Sequence, residues 1–208
     1  MRRQTEICVA GGAHGMAVLG LATEVAKLSP TERRQVVEWA AEDLAGRLPL
    51  AVTIFGATPA EQTEAVAHAA ASGAAWVILQ PPRQPGISEA ELLAFFGAVI
   101  ERAPLPAGIQ NAPELIGLGL SPAGIAELAR RHANFRVLKG EAPTTLIAEV
   151  VDHGLVDIGW ACHQRGAEFE IGALTLGREQ RARADHTRGA ENRQILIDDA
   201  DIGIMLLP

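Results

Sequence analysis

Tyrosine is absent from this 208-residue chain, cysteine occurs twice, and two lysines stand against sixteen arginines. Each shortage excludes something. So little lysine, with a formal net charge of −7, leaves no basic stripe to neutralise a run of phosphates, so no nucleic acid is expected as a partner. No membrane partner is expected either: an anionic surface would be repelled, and no apolar run is long enough to span a bilayer. The segments Ile195–Ile197 and Ile202–Leu207 are short and are broken up by Asp198, Asp199 and Asp201. Cys8 and Cys162 are too few for a disulfide framework and lack the clustered spacing of a metal site. The amino terminus has no apolar signal-peptide core, and the expected compartment is reducing and cytoplasmic.

What is present is ordinary for a globular protein with one sizeable core: 48% hydrophobic and 21% charged residues. Apolar segments that read as buried strands recur at Ile7–Ala10, Leu50–Phe55, Ala75–Leu79, Ala107–Gln110 and Phe135–Lys139. Helical patterns separate them. Ser29-Pro30-Thr31-Glu32, Thr58-Pro59-Ala60-Glu61 and Ser88-Glu89-Ala90-Glu91 each set a capping hydroxyl three residues ahead of a glutamate, and Ser121-Pro122 opens a fourth helix. Strands that are apolar throughout are buried on both faces, as in a parallel sheet covered by helices. Such a βα repeat fits a barrel or a doubly wound sheet, and composition does not separate the two. Residues 1–152 read as this repeat. Residues 153–208 are a divergent segment with irregular glycines and a charged stretch, Arg178–Arg193.

Polar and special residues gather after the strands, where parallel α/β proteins build their sites. Lys139 ends the run Phe-Arg-Val-Leu-Lys. Arginine cannot lose a proton and attack a carbonyl, whereas lysine can, so a nearly lysine-free chain with one lysine at a strand end suggests a nucleophilic amine. A solvated charge is the competing reading.

Taken in order, Gly12-Ala13-His14-Gly15, Leu50–Phe55, Gln110-Asn111-Ala112-Pro113 and Val137-Leu138-Lys139 resemble the dihydrodipicolinate synthase and N-acetylneuraminate lyase family. The resemblance runs from about Ile7 to about Val151, with Ile7–Ala10 as the second barrel strand and Phe135–Lys139 as the sixth. It implies a (β/α)₈ TIM-type barrel, here partial, with strands two to six recognisable. It also implies a class I lyase or aldolase in which Lys139 forms a Schiff base with pyruvate or a related 2-oxo acid.

By the same resemblance the loop of Gly12, Ala13, His14 and Gly15 would anchor the substrate carboxylate through backbone N–H groups, while Gln110 and Asn111 would orient its polar groups. His14 would add a donor or, alternatively, cap the following turn. No cofactor and no metal are implied, the partner is a small-molecule 2-oxo acid, and a homo-oligomer is compatible with the family.

Departures accompany the likeness. Gln110 stands where the family has a proton-shuttling tyrosine, Pro81-Pro82-Arg83 stands where the synthases carry another, and Leu115 replaces the arginine used on the second substrate. Glutamine is neither acid nor base. Dihydrodipicolinate synthase activity itself is therefore not expected. The first strand and helix have no counterpart before Ile7 in this register, and strands seven and eight are not recognisable. Either the tail supplies strands, from Leu155–Gly159 and Ile195–Ile197, or the chain is a truncated family member, and the second is favoured. The alternatives to a lyase are a non-catalytic small-molecule binder and a phosphate or nucleotide binder. The last is disfavoured because residues 11–15 match neither dinucleotide nor P-loop fingerprints.

Overall fold

The computed structural model describes residues 1–140 and the backbone of 159–160. A helix, α1 (Arg2–Ala10), opens the chain, followed by strand β1 (Met16–Val18), two 3₁₀ turns (Leu21–Thr23 and Val25–Lys27) and helix α2 (Pro30–Leu44). The repeat continues as β2 (Leu50–Ile54), α3 (Pro59–Ala71), β3 (Trp76–Leu79), α4 (Glu89–Ile100) and β4 (Ala107–Asn111). After β4 come the short α5 (Pro113–Ile116), then α6 (Pro122–Arg131), β5 (Phe135–Gly140) and β6 (Gly159–Trp160). Among the described residues no helix is long and apolar enough to cross a membrane.

All six strands among the described residues are parallel, and their order in the sheet is their order in the chain. This settles what composition left open: a doubly wound sheet reverses direction at a switch point, whereas a barrel winds one way. Successive helices pack side by side, α1 on α2, α2 on α3, α3 on α4 and α4 on α6. One core lies between them and the sheet, holding Val52, Ile54, Val66, Val77, Leu79, Phe96, Val99, Ile109, Ile125 and Leu138.

The helix starts follow the capping chemistry. Ser29 and Ser88 each accept from a glutamate N–H three residues on, and that glutamate's carboxylate accepts from the serine's own N–H. Thr58 caps α3 by accepting from Glu61 N–H, and Ser121 caps α6 by accepting from Gly124 N–H at 3.1 Å. The start of α6 is also tied to α4, because Glu89 Oε1 accepts from Ser121 N–H at 2.7 Å. Hydrogen bonding from the Ser121 side chain, and then from its backbone, holds the Glu89 carboxyl below the usual carboxylate range.

Ile7–Ala10, expected as a strand, is the second half of α1. A four-residue apolar run carries no periodicity that separates strand from helix. The spacing of Thr5 and Cys8, both buried while Ile7 is 60% exposed, is that of a helix face. The helix that the sequence reading found missing is thus present, and the strand it leads into is Met16–Val18. Past residue 152, Gly159–Trp160 pairs in parallel with β5. This strand overlaps the expected Leu155–Gly159 only at Gly159, and Ile195–Ile197 lies outside the described residues.

One irregularity decides which way β5 faces. Phe135 pairs with Ala107 but Val137 pairs with Gly108, so Arg136 is an extra residue opposite a single step of β4. Side chains alternate along a strand, so this bulge puts Val137 and Lys139 on the face of Gly108 and Gln110, away from Phe135.

Candidate functional site

Lys139 lies at the carboxyl end of β5, half-buried, in register with Gln110 on β4. Its Nζ donates to Gln110 Oε1 at 3.3 Å. The same oxygen accepts a hydrogen bond from Gln80 Nε2, just past the end of β3. Both glutamines are almost wholly enclosed, Gln110 at 1% and Gln80 at 3% exposure. Behind them Gln62, buried on α3, donates through Nε2 to the backbone oxygen of Gln80 at 2.8 Å and to that of Gly56 at 3.2 Å. A row of amides from α3, from the residue after β3 and from β4 therefore ends at the amine. Most buried polar groups are hydrogen-bonded, and here Gln80 Nε2 and Lys139 Nζ converge on the one carbonyl oxygen of Gln110, while Gln62 Oε1 is buried without a partner among the described residues.

The structure separates this centre from residues 12–15. Gly15 directly precedes Met16, which pairs with Leu50 at the amino end of β2, whereas Lys139 and Gln110 lie at the carboxyl ends of their strands. The two places are at opposite ends of the sheet. The N–H groups of Gly12 and Ala13 are also spoken for, because they donate to Val9 O at 3.2 Å and Cys8 O at 3.0 Å. With Gly12 at φ +75°, this is the closure that ends a helix. His14 is exposed at that same end. The expected carboxylate anchor of Gly12, Ala13, His14 and Gly15 is therefore corrected: Gly12 and Ala13 close α1, and His14 and Gly15 lead from it into β1 at the end of the sheet away from Lys139.

Asn111 is likewise engaged elsewhere. Its Nδ2 donates to Leu120 O at 3.1 Å and its Oδ1 accepts from Leu120 N–H at 2.7 Å. Both ends of the amide clamp the segment joining β4 to α6, instead of turning to a substrate as expected. Gly119 fits beneath this clamp because a Cβ there would lie 2.7 Å from Asn111 Oδ1.

The loop that does share the Lys139 end is the one after β1, residues 19–28. Leu19 and Glu24 hold left-handed backbone at φ +62° and +50°, an uncommon state for such side chains that recurs where a loop is shaped for a task. Thr23 Oγ1 donates to Gly20 O at 2.7 Å, and Arg33 on α2 donates through Nε to Val25 O at 3.3 Å while stacking over Phe55. Lys27 is largely exposed and ion-paired with Glu24, as expected of a solvated charge. The sequence did carry a signal for this loop. Gly11-Gly12 after an apolar run is a helix stop, which would have moved the strand to Met16–Val18. Gln80 carried only its place directly after an apolar run, in Gln80-Pro81-Pro82-Arg83. Among the described residues, no cluster of three or more His, Cys, Asp or Glu is placed to hold a metal ion.

Residues 1–153 match the Dihydrodipicolinate synthetase family. The 4-hydroxy-tetrahydrodipicolinate synthase of Stenotrophomonas maltophilia (strain R551-3) is 31% identical over 138 residues, covering 66% of this chain and 46% of that protein. The Escherichia coli K12 protein YagE, named as a candidate 2-dehydro-3-deoxy-D-gluconate aldolase, is 29% identical over 131 residues, covering 63% of this chain and 43% of its own length. The crystal structure of YagE in complex with pyruvate superposes with a TM-score of 0.74 at 23% identity, covering 78% of this chain and 56% of that one. At that identity the superposition speaks for the fold. The chain spans just under half the length of the curated relatives it matches.

Proposed function

The chain belongs to the dihydrodipicolinate synthetase family, and from that premise we propose that it forms a Schiff base with pyruvate or a related 2-oxo acid through Lys139, as a lyase or aldolase. The observation that carries this reading is the half-buried Lys139 amine at a strand's carboxyl end, bonded to the buried Gln110. In the step proposed, the neutral amine attacks the keto carbon and the resulting carbinolamine releases the keto oxygen as water. A C=N bond remains. Protonated, that imine withdraws electrons from the adjacent carbon and allows a carbon–carbon bond there to form or break. In this reading Gln110 Oε1, which accepts from the amine, accepts from the imine N–H in turn.

Glutamine exchanges no proton. Of water, a substrate group and His14, the last lies at the far end of the sheet from Lys139, and we assign the transfers to the first two. This same feature favours a second reading, a 2-oxo acid binder that forms the imine without onward turnover. Leu115, 48% exposed on α5, offers no charge for a second carboxylate. That weighs against dihydrodipicolinate synthase activity.

Borohydride reduction in the presence of pyruvate, followed by peptide mapping, tests the reading. A reduced adduct is expected on Lys139, lost in Lys139→Arg and kept in Lys27→Arg, because both variants preserve charge and only the first removes the proposed nucleophile. A label confined to Lys27 or the terminal amine, or no label with any 2-oxo acid, would overturn it. An adduct without cleavage or condensation of any aldehyde would select the binder.

A further inference from the structure

We propose that Arg83 is a specificity-determining residue, which receives a second carboxylate at the far end of a 2-oxo acid held on Lys139. The inference rests on the Schiff-base reading above and narrows its substrate class from 2-oxo acids in general to dicarboxylic ones. The charges at the carboxyl end of the sheet are unevenly committed. Among the cations, Lys27 is ion-paired with Glu24, and Arg33 is held by Val25 O while it stacks over Phe55. Arg83 is exposed and has no hydrogen bond, ion pair or ring contact among the described residues. The carboxylates are mostly engaged: Glu32 and Glu91 accept from the serines that cap their helices, Glu61 from Ala57 N–H and Glu89 from Ser121 N–H.

The loop after β3 presents this arginine on a stiff turn. Pro81 and Pro82 are buried, their φ angles set by their rings, and Gln84 N–H donates to Pro82 O at 2.8 Å, closing a three-residue turn with Arg83 at its apex. A bond from Ile87 N–H to Gln84 O at 3.4 Å follows it. At the other side of the prolines, Gln80 is buried and bonded to the oxygen that accepts from Lys139 Nζ. Three residues span at most about 10 Å, so the apex stays close to the amine, within a reach that an arginine side chain and a short dicarboxylate cover together. A turn already fixed loses little freedom on binding, and a guanidinium offers two parallel N–H donors that match a carboxylate. A single open guanidinium, with Glu114 exposed on α5 and a net charge of −7, suits one carboxylate better than a phosphate dianion.

The test compares 2-oxoadipate with 2-oxohexanoate, which share a chain length and differ in the second carboxylate. Each is titrated against the unaltered chain, Arg83→Gln and Arg83→Lys and trapped with borohydride, with circular dichroism recorded alongside. For the unaltered chain we expect half-maximal trapping of 2-oxoadipate at about fivefold lower concentration, the effect of one exposed charge-assisted bond. That ratio should fall to about one in Arg83→Gln, be partly kept in Arg83→Lys and shrink as salt is raised. An arginine that only supports the loop would weaken trapping of both acids together and leave the ratio standing, which overturns the proposal. So does equal trapping of the two acids by the unaltered chain. If neither these acids nor pyruvate labels Lys139 in the unaltered chain, the Schiff-base reading itself has failed, a result distinct from a Lys139 adduct formed without preference.

Discussion

Gly108→Ala should destabilise the protein by about 3 kcal/mol, at the upper end of the usual cost of overpacking. Gly108 sits on β4 opposite the bulge of β5, and an added Cβ would stand 2.4 Å from Val137 O and 2.6 Å from Val137 Cβ. Ordinary contact begins near 3.4 Å, so the methyl group arrives about 1 Å too close to a neighbouring backbone. A flexible side-chain tip would swing aside cheaply. Here the obstacle is main chain held in the sheet, so relief requires β4 and β5 to separate and ladder hydrogen bonds to lengthen. With a urea slope of about 2 kcal/mol per molar, the unfolding midpoint should fall by about 1.5 M. Gly117→Ala is the control. It has φ +75° with open space around it, so only the left-handed backbone is penalised, by about 1 kcal/mol. Because Gln110 and Lys139 lie two residues further along the same strands, Gly108→Ala should also weaken pyruvate trapping. Equal midpoint shifts for the two variants would show that the close approach of β4 and β5 is not a real constraint.

The role of Asn111 yields a prediction of similar kind: Asn111→Ala strands both the N–H and the oxygen of Leu120, and about 2 kcal/mol of stability should be lost by thermal or urea unfolding. Asn111→Asp should recover only the half that involves the N–H. Glu89 gives a pH dependence, because its carboxyl is held below the usual range by Ser121. A carboxylate depressed in the folded state stabilises it fully above the unfolded value, about 4.3, and loses that contribution as pH falls through the folded one. The melting temperature of the unaltered chain should therefore drop more steeply below about pH 4.3 than that of Glu89→Gln. Parallel curves would mean that the Glu89–Ser121 link contributes nothing.

Much of the architecture was legible because the signals are local. β2 and β3 are almost wholly apolar, as strands covered on both faces must be, and α2, α3, α4 and α6 each announce themselves by a hydroxyl cap whose partner is fixed by chain geometry. The position of Lys139 was legible as well, because the run Phe-Arg-Val-Leu-Lys is a strand and the lysine stands at its carboxyl end.

What the sequence could not decide was where side chains meet. Residues 7–10 and 16–18 are both short and apolar, and packing against α2 and pairing with β2 put the first in a helix and the second in the sheet. Residues 12–15 carry the composition of an anion-binding loop, yet the N–H groups of Gly12 and Ala13 close α1 at the end of the sheet away from Lys139. Asn111 and Gln110 are adjacent in sequence and face opposite ways, one clamping Leu120 and one meeting the amine. Even the direction of Lys139 depends on a bulge at Arg136, since one extra residue turns everything after it to the other face. Gln62, Gln80, Gln110 and Lys139 are spread over 78 positions of sequence, and no local pattern joins them. Only the winding of strand beside strand brings that row of amides to a single nitrogen.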